Sequence, residues 1–217
     1  MLHLVDELTQ TQRIQFLPAD EQSRNALAGK RHQGNKAEGR RLRLMIARTI
    51  ARELERGGFV AYHSDSDRRW SERSPDDFPD FRRLRAVVEG VLSNPPTERG
   101  HAIDPERINR LFLLGAYWEI EAWLYQNTAK AKAVCKQTCD AAHHDQFDEW
   151  AANRASLDDL ADPKDVCCLA DRHNQVLAES AYPASEAYFA RASFAACVDR
   201  LGACPDLVAA LAGTHAS

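Results

Sequence analysis

The chain reads as a mixed α/β protein, a parallel sheet flanked by helices with a helical C-terminal portion, and three observations predict it. Phe59-Val60-Ala61-Tyr62-His63-Ser64-Asp65 is a short apolar run that ends abruptly in acid, as a buried strand does at its tip. Arg110-Leu111-Phe112-Leu113-Leu114-Gly115 is a second run, apolar throughout, as suits a strand covered on both faces of a parallel sheet. Between and before them lie segments with helical periodicity, so strand, helix and strand alternate in the order that right-handed crossovers require.

In chain order, Leu2-His3-Leu4-Val5 alternates like a first strand and runs at once into Asp6 and Glu7. Residues 9–25 are rich in Gln, Thr and Arg and define no element. Ala28 to Lys36 is a glycine- and base-rich loop without the spacing of a P-loop, so it suits a basic loop approaching phosphate or a plain exposed connection. The helix behind it is clearer. Leu42, Ile46, Ile50 and Leu54 recur every fourth residue with Met45 beside them, while Arg41, Arg48, Arg52 and Arg56 mark another face. Such arginines are a solvated face or a nucleic-acid contact, and Gly57-Gly58 stops the helix as a C-cap.

Asp65 and Asp67 are two residues apart, and strand geometry sends alternate side chains to one face, so both carboxylates can aim at one point. Paired hard oxygens open to substrate suit Mg²⁺; a polar turn explains the same residues without any metal. After them, Arg68-Arg69-Trp70 offers a tryptophan that either stacks on a base or packs on the domain. Phe81, Leu84, Val87, Val88, Val91 and Leu92 then spell an amphipathic helix that ends at Asn94-Pro95-Pro96. Beyond the second strand, Tyr117 to Leu124 opens a helix in which Ile120, Trp123 and Leu124 can face the core. Glu119 and Glu121 stand about 200° apart on that wheel, so only one of them can reach a site at the strand ends.

From Asn127 onward the pattern is helical: one helix around Phe147, Trp150 and Ala151, another from Ala187 to Leu201, and a short one from Pro205 to Leu211. The predicted division is therefore 1–126 as the α/β core and 127–217 as a helical extension packed on it, with a single core expected at a length of 217 residues. Six cysteines fall between residues 135 and 204, and Cys135-x3-Cys139-x3-His143-His144 could line three ligands along a helix. No CxxC pair accompanies them, so buried thiols are the preferred reading over zinc. At 44% apolar and 28% charged residues the composition suits a soluble globular protein, no run approaches the length needed to span a bilayer, and cytoplasmic placement is the expectation. The formal charge of −4 means that any polyanion must bind a local basic patch.

With Asp65-Ser66-Asp67-Arg68 after one strand and Trp118-Glu119-Ile120-Glu121-Ala122-Trp123-Leu124 after the next, the chain resembles the TOPRIM-like (topoisomerase-primase domain) proteins of bacterial defence and mobile loci, in their small stand-alone branch. Asp6 or Glu7 matches the acid that ends the family's first strand, Gly34-Asn35-Lys36 its basic loop, and Asp162-Pro163-Lys164 a further loop element. The resemblance covers roughly residues 1–165. It implies a Rossmann-like sheet and Mg²⁺- or Mn²⁺-dependent hydrolysis of phosphodiester bonds in DNA or RNA, in an anti-phage defence complex that includes an ATPase subunit. Asp65, Asp67 and Glu7 would be the metal ligands, Glu7 or Asp6 the general base, and Lys36, Arg68, Arg48 and Arg52 the phosphate contacts. The family's usual glycine after the first strand's acid is missing from Val5-Asp6-Glu7-Leu8, which favours the alternative of a non-catalytic binding or sensor subunit. No membrane partner is expected, and homo-oligomerisation is left open.

Overall fold

Two strands, not a wide sheet, lie among the helices of the described chain. The computed structural model describes residues 36–66, 68–93, 105–118, 120–138, 144–160 and 171–212. The predicted first strand with Asp6 and Glu7, most of the basic loop, Asp67, Glu119, Asp162-Pro163-Lys164, Cys139 and His143 therefore lie outside the described residues. The elements are α1 (Lys36–Glu55), β1 (Val60–Asp65), α2 (Pro79–Ser93), β2 (Leu111–Ala116), α3 (Glu121–Leu124), α4 (Thr128–Thr138), α5 (His144–Ala152), α6 (Asp171–Ala178), α7 (Ala184–Phe189), α8 (Ser193–Gly202) and α9 (Pro205–Ala212). Short 3₁₀ turns occupy Trp70–Glu72, Pro105–Arg110 and Arg154–Asp159. β1 and β2 pair in parallel as a two-stranded sheet. The chain divides into two compact units: among the described residues one holds 36–64, 78–114 and 201–212, and the other 65–77 and 115–200.

In the first unit α1 and α2 supply most of the core. Ala47, Ile50, Ala51 and Leu54 of α1 meet Leu84, Val88 and Leu92 of α2, with Ile108 and Leu111 completing the cluster. The periodicity predicted this face, but Met45 is not part of it: it is 49% exposed, and Ala47 and Ala51 take the buried positions. Met45 lies within about 60° of Arg41, Arg48 and Arg52 on the helical wheel, so the turn that exposes them exposes it too. α1 ends as predicted. Gly57 N–H donates to Leu54 O at 3.1 Å and Gly58 N–H to Glu53 O at 2.9 Å, the paired bonds of a Schellman cap, with Gly57 at φ +85°. Arg107 Nη1 and Arg110 Nη1 donate to the Glu55 and Gly57 carbonyls at 2.6 and 2.9 Å, further satisfying the helix end.

β1 corrects one expectation. Its residues alternate between half-buried and exposed, whereas β2 is buried at every position except Leu114. Among the described residues β1 pairs only with β2 and packs one face, through Val60 and Tyr62, so it is half-covered and not the buried strand its apolar run suggested.

The second unit has a core of its own, built from Ala122, Tyr125, Ala131, Val134, Cys135, Phe147, Trp150, Leu157 and Leu177. Among the described residues the buried hydrophobic side chains thus form two clusters, one in each unit. α5 forms where predicted and buries Phe147 and Trp150, while Ala151 faces out. The predicted helix over 187–201 is broken instead: α7 ends at Phe189, Arg191 adopts φ +56°, and α8 starts at Ser193. The restart has a physical cause, because the Asp158 carboxylate accepts the Ser193 N–H at 2.8 Å and caps the new helix. Among the described residues no helix is long and apolar enough to cross a membrane.

Candidate functional site at the strand ends

Parallel strands direct their carboxyl ends the same way, and ligands of open α/β sheets collect there. The loops that follow β1 and β2 are tied to each other. Ser66 N–H donates to Ala116 O at 3.0 Å and Trp118 N–H to Arg68 O at 3.0 Å, which carries strand-like pairing past the last residue of each strand. Ser66 Oγ sits 3.2 Å from both the N–H and the carbonyl of Arg68, accepting from the first and donating to the second, so it ties Ser66 to Arg68. Trp118 holds φ +55°, a left-handed conformation that costs a bulky residue strain energy, and strain of that kind gathers where function fixes the backbone. Its indole Nε1 is buried and has no hydrogen-bond partner among the described residues.

Beneath these loops lies a buried carboxylate. Asp77 Oδ2 accepts the Tyr117 hydroxyl at 3.1 Å and the Ser74 N–H at 2.5 Å. Its Oδ1 accepts no hydrogen bond among the described residues and faces Arg68 Nε at 3.5 Å, a charge contact whose guanidinium is still 58% exposed. Burial, then the hydrogen bond from its own hydroxyl to Asp77, pushes the Tyr117 phenol up to about 12, so it stays protonated and donating throughout the physiological range. The Trp70 ring packs edge-to-face with Tyr117 at 5.0 Å, and Arg73 lies over the Trp70 ring at 4.4 Å. Packing on the domain, one of the two fates open to Trp70, is thus realised along one ring contact.

Of the residues singled out by sequence, Asp65 is the last of β1 and is exposed, on the same side of the strand as Ala61 and His63. Arg68 lies three residues on, at the loop just described. Arg48 and Arg52 are exposed on α1, in the other unit, and Arg52 Nε donates to its own helix at Arg48 O, 3.3 Å away. Lys36 is the first residue of α1. Glu121 opens α3 half-buried and accepts the Asn174 Nδ2 hydrogen bond at 3.1 Å, a link between α3 and α6 rather than an open ligand. Among the described residues no three His, Cys, Asp or Glu side chains are gathered to hold a metal, and Asp65 is the one member of the predicted ligand set within them. Its hard, exposed oxygen fits a divalent cation; the rest of the set lies outside the described residues.

Of the three cysteines among the described residues, Cys135 and Cys197 are buried and Cys204 is partly exposed. Cys135 belongs to the second unit's core, and burial raises the Cys197 thiol to about 11, which leaves it unreactive. Sequence reasoning passed over Asp77, Tyr117 and Asp158. Ser74-Pro75-Asp76-Asp77 reads as an ordinary loop before a helix, and only the distant Tyr117 reveals that one of its carboxylates turns inward. No protein-family model, curated protein or solved structure matches the chain.

Proposed function

We propose that the chain is a TOPRIM-type nuclease with a Rossmann-like arrangement, hydrolysing phosphodiester bonds with Mg²⁺ or Mn²⁺ as the effector subunit of a bacterial anti-phage defence complex. The observation that carries the reading is the position of Asp65: exposed at the carboxyl end of a strand paired in parallel with β2, with Arg68 held beside that end by Asp77. The Asp65-Ser66-Asp67-Arg68 order gives that position its meaning. The carboxylates of Asp65 and Asp67 hold the cation, with Glu7 as a further ligand. A bound divalent ion supplies Lewis acidity at the scissile phosphate and lowers the pKa of an attacking water. Glu7, or Asp6 in its place, takes the proton from that water. Arg68 neutralises phosphate charge at the strand end, and Lys36, Arg48 and Arg52 are further phosphate contacts carried by α1.

The test is cleavage of labelled plasmid DNA, single-stranded DNA and tRNA by the full chain with Mg²⁺ or Mn²⁺, beside Asp65→Ala/Asp67→Ala. Cutting by the wild type alone supports the reading and identifies the substrate. Equal cutting by both proteins assigns the activity elsewhere. Absence of cutting, alone and with an ATPase partner captured from the same locus, leaves the non-catalytic sensor subunit as the better description.

A further inference from the structure

Between Arg68 and Arg73 the chain concentrates three arginines around one tryptophan. The indole is fixed from several sides. Its edge-to-face contact with Tyr117 at 5.0 Å is backed by the Tyr117–Asp77 hydrogen bond, and Ser71 N–H, the next residue along, is anchored to Asp159 Oδ1 at 2.9 Å. Arg73 both lies over the ring at 4.4 Å and donates Nη1 to the Trp70 carbonyl at 3.1 Å. A ring held this way loses little freedom on binding.

The charges around it are available to a ligand. Arg69 reaches Glu72 only at 4.0 Å with both side chains more than half exposed, a contact worth little in water. Arg68 leans on Asp77, but that carboxylate is buried while the guanidinium remains largely in solvent. A half-buried indole ringed by exposed guanidinium groups combines a stacking surface with phosphate neutralisation, the pair of features that grips an unpaired strand. Bases in a duplex already spend both faces on their neighbours and have none to offer.

We propose that Trp70, flanked by Arg68, Arg69 and Arg73, is a platform that binds an unpaired nucleotide of single-stranded nucleic acid. The strand preference rests on the proposed function for nucleic acid as the ligand, yet binding through a ring and guanidinium groups requires no metal.

Fluorescence anisotropy of the full chain in EDTA, with fluorescein-labelled 12-nucleotide DNA and RNA single strands and a blunt DNA hairpin whose loop is a non-nucleotide linker, separates unpaired from paired ligands. The single strands are expected to bind at least about ten-fold more tightly than the hairpin. Trp70→Ala is expected to weaken single-strand binding about 5- to 100-fold and to leave hairpin binding unchanged. Arg69→Gln weakens both and lowers the salt slope by about one. Because Trp70→Ala also removes packing against Tyr117, Trp70→Phe provides the control: it is expected to retain much of the single-strand affinity, and the indole quenching by oligo-dT expected of the wild type should shrink. Tighter binding to the hairpin, binding to neither, or single-strand affinity untouched by Trp70→Ala in a folded protein overturns the platform. Metal-dependent cutting of duplex alone, with Trp70 irrelevant, keeps the nuclease and discards the platform; Trp70-dependent strand binding by a protein that cuts nothing does the reverse.

Discussion

Tyr117 spends its hydroxyl on a carboxylate that water cannot reach, and the consequence is measurable. Tyr117→Phe keeps the ring against Trp70 but leaves buried Asp77 with only the Ser74 N–H and the Arg68 charge, so a loss of about 1–3 kcal/mol in unfolding free energy is expected by urea denaturation. Asp158 gives a pH-dependent case. Burial pushes its carboxyl up to about 6 from an ordinary 3.8, against the lowering effect of the bonds from Ser193 and with a smaller push from the Asp159 charge. One oxygen accepts the Ser193 N–H and the other has no partner among the described residues. A raised native pKa means that the folded chain holds the proton more tightly than the unfolded chain between about pH 4 and pH 6. This group's contribution to stability is therefore full below pH 4, falls as pH rises through that window, and is lost above about 6, a total of roughly 3 kcal/mol. Asp158→Asn does not titrate and keeps an acceptor for Ser193. Its stability should exceed the wild type's at pH 7 and match it near pH 4; a difference that stays constant from pH 4 to 7 would refute the assignment. Neither carboxylate was legible in the sequence, because nothing in the local pattern around Asp77 or Asp158 tells an inward-turned acid from a solvated one.

Elements were easier to read than single residues wherever a short-range rule governs them. α1 follows from apolar spacing and its end from two glycines, since the cap needs a left-handed residue at Gly57 and no Cβ at Gly58. Gly57→Ala forces an alanine to φ +85°, and a loss of about 1–2 kcal/mol, read as a lowered urea midpoint, is expected. At Gly58 an added Cβ would stand 2.9 Å from the Glu53 carbonyl oxygen, so Gly58→Ala should be destabilising too unless the cap opens. β2 was legible because a fully apolar run has few alternatives. The break between α7 and α8 was not: Ala190, Arg191 and Ala192 carry no glycine or proline, and the residue that starts α8 is capped by Asp158, 35 positions earlier. α3 likewise begins later than the apolar pattern suggested, at Glu121, because Tyr117 and Trp118 are committed to pairing the strand-end loops. Long-range contacts decided both boundaries.

For the molecule as a whole, the sequence disclosed the mixed α/β class but not the division of its interior. Residues beyond 121 carry Tyr125, Phe147 and Trp150, enough aromatic volume to build a core without α1 and α2, and that is what they do. Of the residues at the strand end, sequence singled out Asp65 and Arg68, both exposed there, and passed over the buried groups beneath. Net charge sets the last expectation. With 32 Asp and Glu against 28 Lys and Arg, the chain repels a polyanion in bulk, so the proposed nucleic-acid contact would depend on local arginines and on the proposed cation at the strand end. A cation that binds only the folded chain stabilises it by mass action, by about 2.7 kcal/mol at a hundred times its dissociation constant, which for a chain of this size is a rise of about 5–10 °C in Tm. Mg²⁺ or Mn²⁺ should raise Tm of the wild type in a saturable way, matched sodium chloride should not, and Asp65→Ala should abolish the rise. A shift that survives Asp65→Ala belongs to a cation site elsewhere in the chain, and no shift at all removes the metal from the strand end and with it the hydrolytic reading.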